Sequence, residues 1–251
     1  MNNFLYAFLI STIAGLSTML GCLFIFMKVK NINRFLSICL SFSAMVMILI
    51  SIFDLIPNSF FYLILKHKYI GLFLSIIVFI IGIILIKISN FIINRLEEKG
   101  SSLYKLGIIS AIVLMLHNIP EGIITFLTST NDLKIGLKVA IAITLHNIPE
   151  GICIGVPIYY STRKIGKAIK TTLISGLSEP LGAILAYLFL YKYINNTILN
   201  IIFILVAGIM ISLSINDILK ESIKYSNKNN KYIYIGFLIG IIFFLISILF
   251  T

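Results

Sequence analysis

Eight stretches of this chain contain neither lysine nor arginine, and together they cover most of it: residues 4–27, 35–56, 69–86, 106–129, 139–160, 171–191, 197–219 and 232–250. Each is close to or above the roughly 20 residues that carry a helix across the hydrocarbon core of a bilayer. No segment between them is long enough to bury a core of its own, so the chain folds with lipid as its solvent. Composition agrees: 59% of the residues are hydrophobic and 12% charged, with a mean hydropathy of +1.08, where a soluble domain carries roughly 25% charged residues. Cys22, Cys39 and Cys153 lie inside apolar runs at no repeated spacing, which gives neither a disulfide framework nor a thiolate metal cluster. The formal charge of +11 is scattered through short loops, unlike the clustered basic face of a nucleic-acid reader. No nucleic-acid partner is expected; the lipid bilayer is.

Every basic residue lies between the eight stretches, so the loops can be compared. Lys28, Lys30, Arg34, Lys87, Arg95, Lys99, Lys105, Arg163, Lys164, Lys167, Lys170, Lys220, Lys224, Lys228 and Lys231 fall in the odd-numbered loops; only Lys66, Lys68, Lys134, Lys138 and Lys192 fall in the even ones. Cytoplasmic loops carry the excess of Lys and Arg, which puts the odd loops in the cytoplasm and both termini outside. The first stretch starts at residue 4 with no basic segment before it and is too long for a signal-peptide core, so it is expected to be retained. The longest loop, residues 87–105, contains no histidine.

Three internal repeats organise the stretches. Gly15-Leu16-Ser17-Thr18-Met19-Leu20-Gly21 matches Gly176-Leu177-Ser178-Glu179-Pro180-Leu181-Gly182 at an offset of 161, and Met47, Ser51, Asp54 and Ser59 match Met210, Ser214, Asp217 and Ser222 at an offset of 163. Members of each pair cross in opposite directions by the charge count, the pattern of inverted-repeat transporters. His117-Asn118-Ile119-Pro120-Glu121-Gly122 recurs without change as residues 146–151 on the adjacent stretch. The expected fold is therefore an all-α membrane protein of eight transmembrane helices, one domain over residues 1–251, arranged three plus two plus three with inverted outer triplets.

Five acidic residues, Asp54, Glu121, Glu150, Glu179 and Asp217, lie inside the stretches. An unpaired Asp at the centre of a membrane helix costs about 2.5 to 3.5 kcal/mol on insertion scales, and no Lys or Arg shares a stretch with them, so protons or a bound cation must offset their charge. The spacing favours a cation. His117 and Glu121 are i and i+4, as are His146 and Glu150, so each imidazole lies one turn from a carboxylate on one helix face. Pro120 and Pro149 remove the hydrogen bonds that the carbonyls of Leu116 and Leu145 would accept. Asn118 and Asn147 add amide oxygens, and Gly122 and Gly151 permit close backbone approach. Two imidazoles, carboxylates and amides suit a borderline divalent ion such as Zn²⁺, Fe²⁺, Co²⁺ or Mn²⁺ better than Ca²⁺ or Cu⁺. Asp54 near the outer end of the second stretch and Asp217 near the inner end of the seventh read as an entrance and an exit, or as caps near water.

The duplicated His-Asn-Ile-Pro-Glu-Gly, together with Ser-Gly-Leu-Ser-Glu-Pro-Leu-Gly-Ala at 175–183, resembles the ZIP (Zrt/Irt-like protein) family of metal transporters, especially its bacterial zinc-uptake members. The resemblance implies import of a divalent metal, zinc first and iron, manganese, cobalt or cadmium as alternatives, through a central site for one or two ions. It implies His117, Asn118, Glu121, His146, Asn147, Glu150 and Glu179 as ligands. It also implies residence in the bacterial inner membrane, and it allows a homodimer. Metal is then substrate rather than cofactor, and no catalytic residue is expected. Two departures stand out: the cytoplasmic loop lacks the family's histidine cluster, and Asp217-Ile218-Leu219-Lys220-Glu221 stands where a proline-containing motif is usual.

Duller readings remain beside these. Cys153, at i+3 from Glu150, is read as inert core, and His67, between Lys66 and Lys68, as solvated. An intramembrane metal-dependent hydrolase is the competing function, since metal held by His and Glu can activate water; the sequence offers no His-Glu-x-x-His and no spare general base. A proton or monovalent-cation pathway would need the carboxylates without the histidines.

Overall fold

A computed structural model describes residues 2–96, 100–190, 195–227 and 229–249. Lys99, Lys192 and Lys228, and the last residues of the sixth and eighth stretches, 191 and 250, lie outside the described residues. The described chain is helical throughout, with no strand. Six helical stretches are long and apolar enough to cross a membrane: Phe4–Phe26, Ile32–Ile93, Ser102–Asn131, Leu133–Thr162, Asn196–Tyr225 and Lys231–Ile248. The protein is an all-α membrane protein. The count of six differs from the eight expected for two reasons. The 62 residues of Ile32–Ile93 would form a rod of about 93 Å at 1.5 Å per residue, and the backbone turns within it at Lys68 (φ 51, ψ −128). Residues 165–185 are split at Leu177 into two helices, each too short to span.

The helices in chain order are α1 (Asn2–Leu16), α2 (Thr18–Cys22), α3 (Ile32–Ile50), α4 (Ile56–Leu96), α5 (Ser102–Asn131), α6 (Leu133–Thr162), α7 (Ile165–Gly176), α8 (Ser178–Leu185), α9 (Asn196–Leu213), α10 (Leu219–Tyr225) and α11 (Lys231–Ile248). Short π-helical turns, Ser51–Leu55 and Ser214–Ile218, join α3 to α4 and α9 to α10. Several boundaries lie beyond those expected from the basic residues. α4 runs through Lys87 and Arg95 to Leu96, so much of residues 87–105 is helix rather than loop, and α6 begins before Lys134 and Lys138. A Lys or Arg near a helix end keeps its head in water while its stem covers apolar surface; the first charge marks the water, not the end of the helix. Arg95 lies over the Phe91 ring at 4.4 Å and Lys167 over Tyr104 at 4.4 Å in this manner. The starts are marked instead by caps: Ser101 accepts from Tyr104 N–H at 3.2 Å, and Asp132 accepts from Lys134 and Ile135 N–H at 2.8 and 3.2 Å, satisfying amides that the first turn leaves open.

Packing contacts come in related pairs. Gly15 and Gly176 each face the other's carbonyl oxygen, so α1 and α7 cross backbone to backbone. Gly21 lies against the Ile148 carbonyl as Gly182 lies against that of Ile119, and Gly151 meets the Thr18 carbonyl as Gly122 meets that of Glu179. Gly82 of α4 lies against Leu205 of α9, and Gly240 of α11 approaches Phe42 of α3; the repeat that aligns Asp54 with Asp217 also aligns Phe42 with Leu205. The stretch of α4 after Lys68 runs parallel to α9: Lys66 Nζ bonds Thr197 Oγ1 at 2.9 Å, Gly82 meets Leu205, and Asn90 Nδ2 bonds Asp217 Oδ1 at 2.9 Å. Small residues let membrane helices approach this closely, where packing replaces a hydrophobic driving force. The two helices that carry the duplicated motif, α5 and α6, pack along each other between these sets.

Candidate metal site

α5 and α6 continue as helices through Pro120 and Pro149. Each proline leaves one carbonyl of the preceding turn without its helical donor. His117, Asn118 and Glu121 on α5 and Asn147 and Glu150 on α6 are all buried, as is Glu179 in the first turn of α8; His146 is half-buried. The structure brings one atom each of His117, Glu121 and Glu150 within 4.8 Å of one another. His117 Nε2 lies 3.3 Å from Glu121 Oε1 and 3.2 Å from Glu150 Oε1. Two ligands bound tetrahedrally at about 2.0 to 2.1 Å are separated by about 3.3 Å. The two separations from the ring nitrogen thus match those between ligands of one zinc ion.

Behind this trio lies a second set of donors. Asn147 Nδ2 bonds the Ala14 carbonyl at 2.7 Å and also Glu179 Oε1, so α6 holds the α8 carboxylate in place. In one amide orientation Asn118 donates to the Ser175 carbonyl at 3.5 Å; in the other it donates to the Leu114 carbonyl at 2.7 Å and Glu150 Oε2 at 3.1 Å. The second orientation satisfies both ends of the amide and ties Asn118 to the Glu150 carboxylate. Glu121 Oε2, Glu179 Oε2 and Asn147 Oδ1 are buried with no hydrogen-bond partner among the described residues. Buried oxygens without donors cost free energy, and a divalent ion would supply the missing partner. The donor set is nitrogen and oxygen only. Cys153 is fully buried among Ile152, Ile154 and Val156.

His146, the second imidazole of the duplicated motif, is not within ligand distance of the trio. It instead lines a cavity of about 600 Å³ together with Glu121, Asp54, Asn58 and Asn200. The cavity reaches Glu121 from the end of the bundle at which α5 meets α6 and at which α9 begins. Toward the opposite end the site rests on packed apolar side chains, Leu40, Met47, Leu114, Ile154 and Met210 among them. Asp54 sits in the first π turn, bonded by Asn58 Nδ2 at 2.8 Å and half-exposed; Asp217 sits in the second, bonded by Asn90. Neither aspartate touches the central site. π turns are uncommon and recur at functional positions; here they carry both pathway candidates, at positions that the internal repeat aligns.

A profile of the ZIP zinc transporter family matches residues 93–248. The chain belongs to the ZIP family. It is 42% identical to the zinc transporter ZupT of Oceanobacillus iheyensis over 90% of this chain and 91% of that protein. It is 37% identical to the zinc transporter ZupT of Streptococcus mutans (97% and 96% covered) and 33% identical to that of Clostridium perfringens (99% and 97%). Within this ZIP protein, sequence reasoning missed several cavity residues. Asn58, Asn200 and Lys138 carried no repeat or spacing signal, and Lys138 lay outside the stretches searched for counter-charges. Lys138 nevertheless lines the same cavity as Asp54 and Glu121.

Proposed function

We propose that this ZIP protein carries divalent transition-metal ions, zinc foremost, across a lipid bilayer into the cytoplasm. The observation that carries the reading is the buried trio of His117 Nε2, Glu121 Oε1 and Glu150 Oε1, the ring nitrogen standing 3.3 and 3.2 Å from the two carboxylate oxygens, at the foot of a cavity that includes Glu121. His117, Glu121 and Glu150 hold one ion; Asn118, Asn147, Glu179 and the second oxygen of Glu150 form a neighbouring donor set for another. His146 stands in the cavity as the ion's approach ligand, and Asp54 and Asp217 mark the two ends of the route. The names of the relatives, all zinc transporters, support transport over hydrolysis; the protein is a transporter and not an enzyme.

The same reading assigns eight crossings. Turning at Lys68 makes two spans of Ile32–Ile93, and α7 with α8 makes another across the break at Leu177. The paired glycine contacts, and π turns at equivalent positions, support an inverted arrangement of three plus two plus three. With most basic residues at the opposite end, the cavity end faces outside, and both termini lie there too. The place is a bacterial plasma membrane. A dimer is compatible with the broad exposed apolar faces of α4 and α11, which lipid equally covers. The test is Zn²⁺ flux into proteoliposomes made with the full-length protein. Loss of flux in a Glu121→Ala, Glu150→Ala double variant that remains folded is the expected result; wild-type flux in that variant refutes the site.

A further inference from the structure

The vestibule above the site carries one side chain whose charge is opposite to what a cation route requires. Lys138 lies on α6 two turns before His146, about 12 Å up the helix axis. It shares the cavity-facing stripe with Ile135, Val139, Ala142 and Ile143. Asp54 and Glu121 line the same cavity. Of the described lysines at this end, Lys66, Lys68, Lys134 and Lys138, only Lys138 lines the cavity. Lys66 is engaged with Tyr62 and Thr197, whereas Lys138 makes no hydrogen bond or ion pair among the described residues. Nor does the internal repeat call for a lysine here: aligning the two His-Asn-Ile-Pro-Glu-Gly motifs sets Lys138 against Ile109 of α5, which is buried in the core.

We propose that Lys138 is a tethered counter-cation: it offsets the carboxylates of the empty vestibule and must be displaced, or outcompeted, by each incoming divalent ion. The inference rests on the transport reading above and adds a residue that sets how readily the ion is captured. With Lys138 charged, the vestibule carries a formal charge of −1 from Asp54, Glu121 and Lys138; without it, −2. The aromatic walls of the cavity, Phe53, Phe203 and Phe244, have a low dielectric and focus the field of such a difference into the vestibule. The flexible four-carbon stem keeps the ammonium mobile. It therefore withdraws as the metal arrives rather than blocking the way. A lysine in this role lowers affinity for the outer ion and keeps the resting vestibule from trapping stray cations.

The test compares wild type, Lys138→Gln, Lys138→Met and Lys138→Arg in Zn²⁺ uptake by proteoliposomes of neutral lipid, with Zn²⁺ titration of the detergent-purified protein as a second readout. KCl is varied so that the screening length falls from about 30 Å to about 8 Å. Lys138→Gln and Lys138→Met are expected to lower KM, and the dissociation constant in the titration, by roughly three- to tenfold at low salt, with the gap closing as salt rises; Lys138→Arg stays with wild type. Methionine keeps the stem, so a loss of packing in the Gln variant is separable from the loss of charge. Unchanged or raised KM in both neutral variants, or a shift indifferent to salt, overturns the proposal. If the Glu121→Ala, Glu150→Ala protein is inactive while the Lys138 variants are silent, only this inference falls. If that double variant transports normally, the transport site falls and the Lys138 role with it.

Discussion

At the scale of single residues, the two copies of the duplicated motif are placed differently. The imidazole of His117 contacts two carboxylates, while that of His146 faces the cavity. A His117→Gln variant exchanges a nitrogen donor for an amide oxygen, which suits Mn²⁺ better than Zn²⁺. The ratio of Zn²⁺ to Mn²⁺ affinity in competition titrations is expected to fall about tenfold or more, a loss within the range seen when metal ligation is disturbed; equal losses for both metals would argue that His117 is not a ligand. Glycines give a second test. A Cβ on Gly122 would stand 2.6 Å from the Glu179 carbonyl carbon and 2.7 Å from its Cα, whereas one on Gly166 meets nothing within 4 Å. Gly122→Ala is expected to cost about 1 to 3 kcal/mol, because backbone must move, while Gly166→Ala on α7 is neutral or stabilising by up to about 1 kcal/mol. Thermal unfolding in detergent reads both. The clustering of His117, Glu121 and Glu150 was legible from the sequence because an imidazole and a carboxylate at i and i+4, repeated without change, are hard to place by packing alone. The split between His117 and His146 was not. Identical motifs on antiparallel helices look toward opposite ends of the bundle, and only the packed structure shows which end is open.

At the scale of elements, the α-helices were legible and their ends were not. Lys87, Arg95, Lys134 and Lys138 lie within helices, because long basic side chains reach water without unwinding the backbone. The turn at Lys68 has no Gly or Pro at its centre to announce it, whereas the breaks at Ser17 and Leu177 fall beside Gly15 and Gly176, in the aligned motifs. The closed end is tied by a polar cluster outside the apolar plug. Ser102 Oγ at the start of α5 donates to Glu221 Oε1 of α10 at 2.8 Å, and Lys224 Nζ bonds Ser102 and lies 3.4 Å from Glu221. The residue that the repeat aligns with Glu221 at the open end is Asn58, which among the described residues bonds one turn back to Asp54. A half-exposed cluster of this kind contributes about 1 kcal/mol or less, enough to shift an equilibrium about fivefold. Ser102→Ala is thus expected to raise release toward the basic-loop side, measured as a faster efflux of preloaded Zn²⁺, with folding stability little changed. Unaltered efflux would show the cluster to be decoration on the surface.

At the scale of the whole molecule, the paired contacts describe one arrangement, open at one end. The cavity opens above the site at one end, and apolar packing fills the other, where Ser110 and Ser214 are buried without hydrogen-bond partners among the described residues. Unpaired hydroxyls are costly in a permanent core, but not in a space that fills with water when the bundle reopens. Exchange of conformations between the repeats would open this second space. Ser110 holds in α5 the place that the cavity-lining Val139 holds in α6 when the twin motifs are aligned, so it should then become accessible. With Cys22, Cys39 and Cys153 replaced by serine, Ser110→Cys is expected to react with a membrane-impermeant thiol reagent added at the basic-loop side. Protection from both sides during transport would contradict exchange.

The most direct test of the metal centre is an anomalous difference map at the zinc absorption edge from crystals of the full-length protein grown with Zn²⁺. A peak about 2.0 to 2.2 Å from His117 Nε2 and from oxygens of Glu121 and Glu150 is the predicted result. Zinc bound elsewhere, with those three side chains bearing no ion, would contradict it.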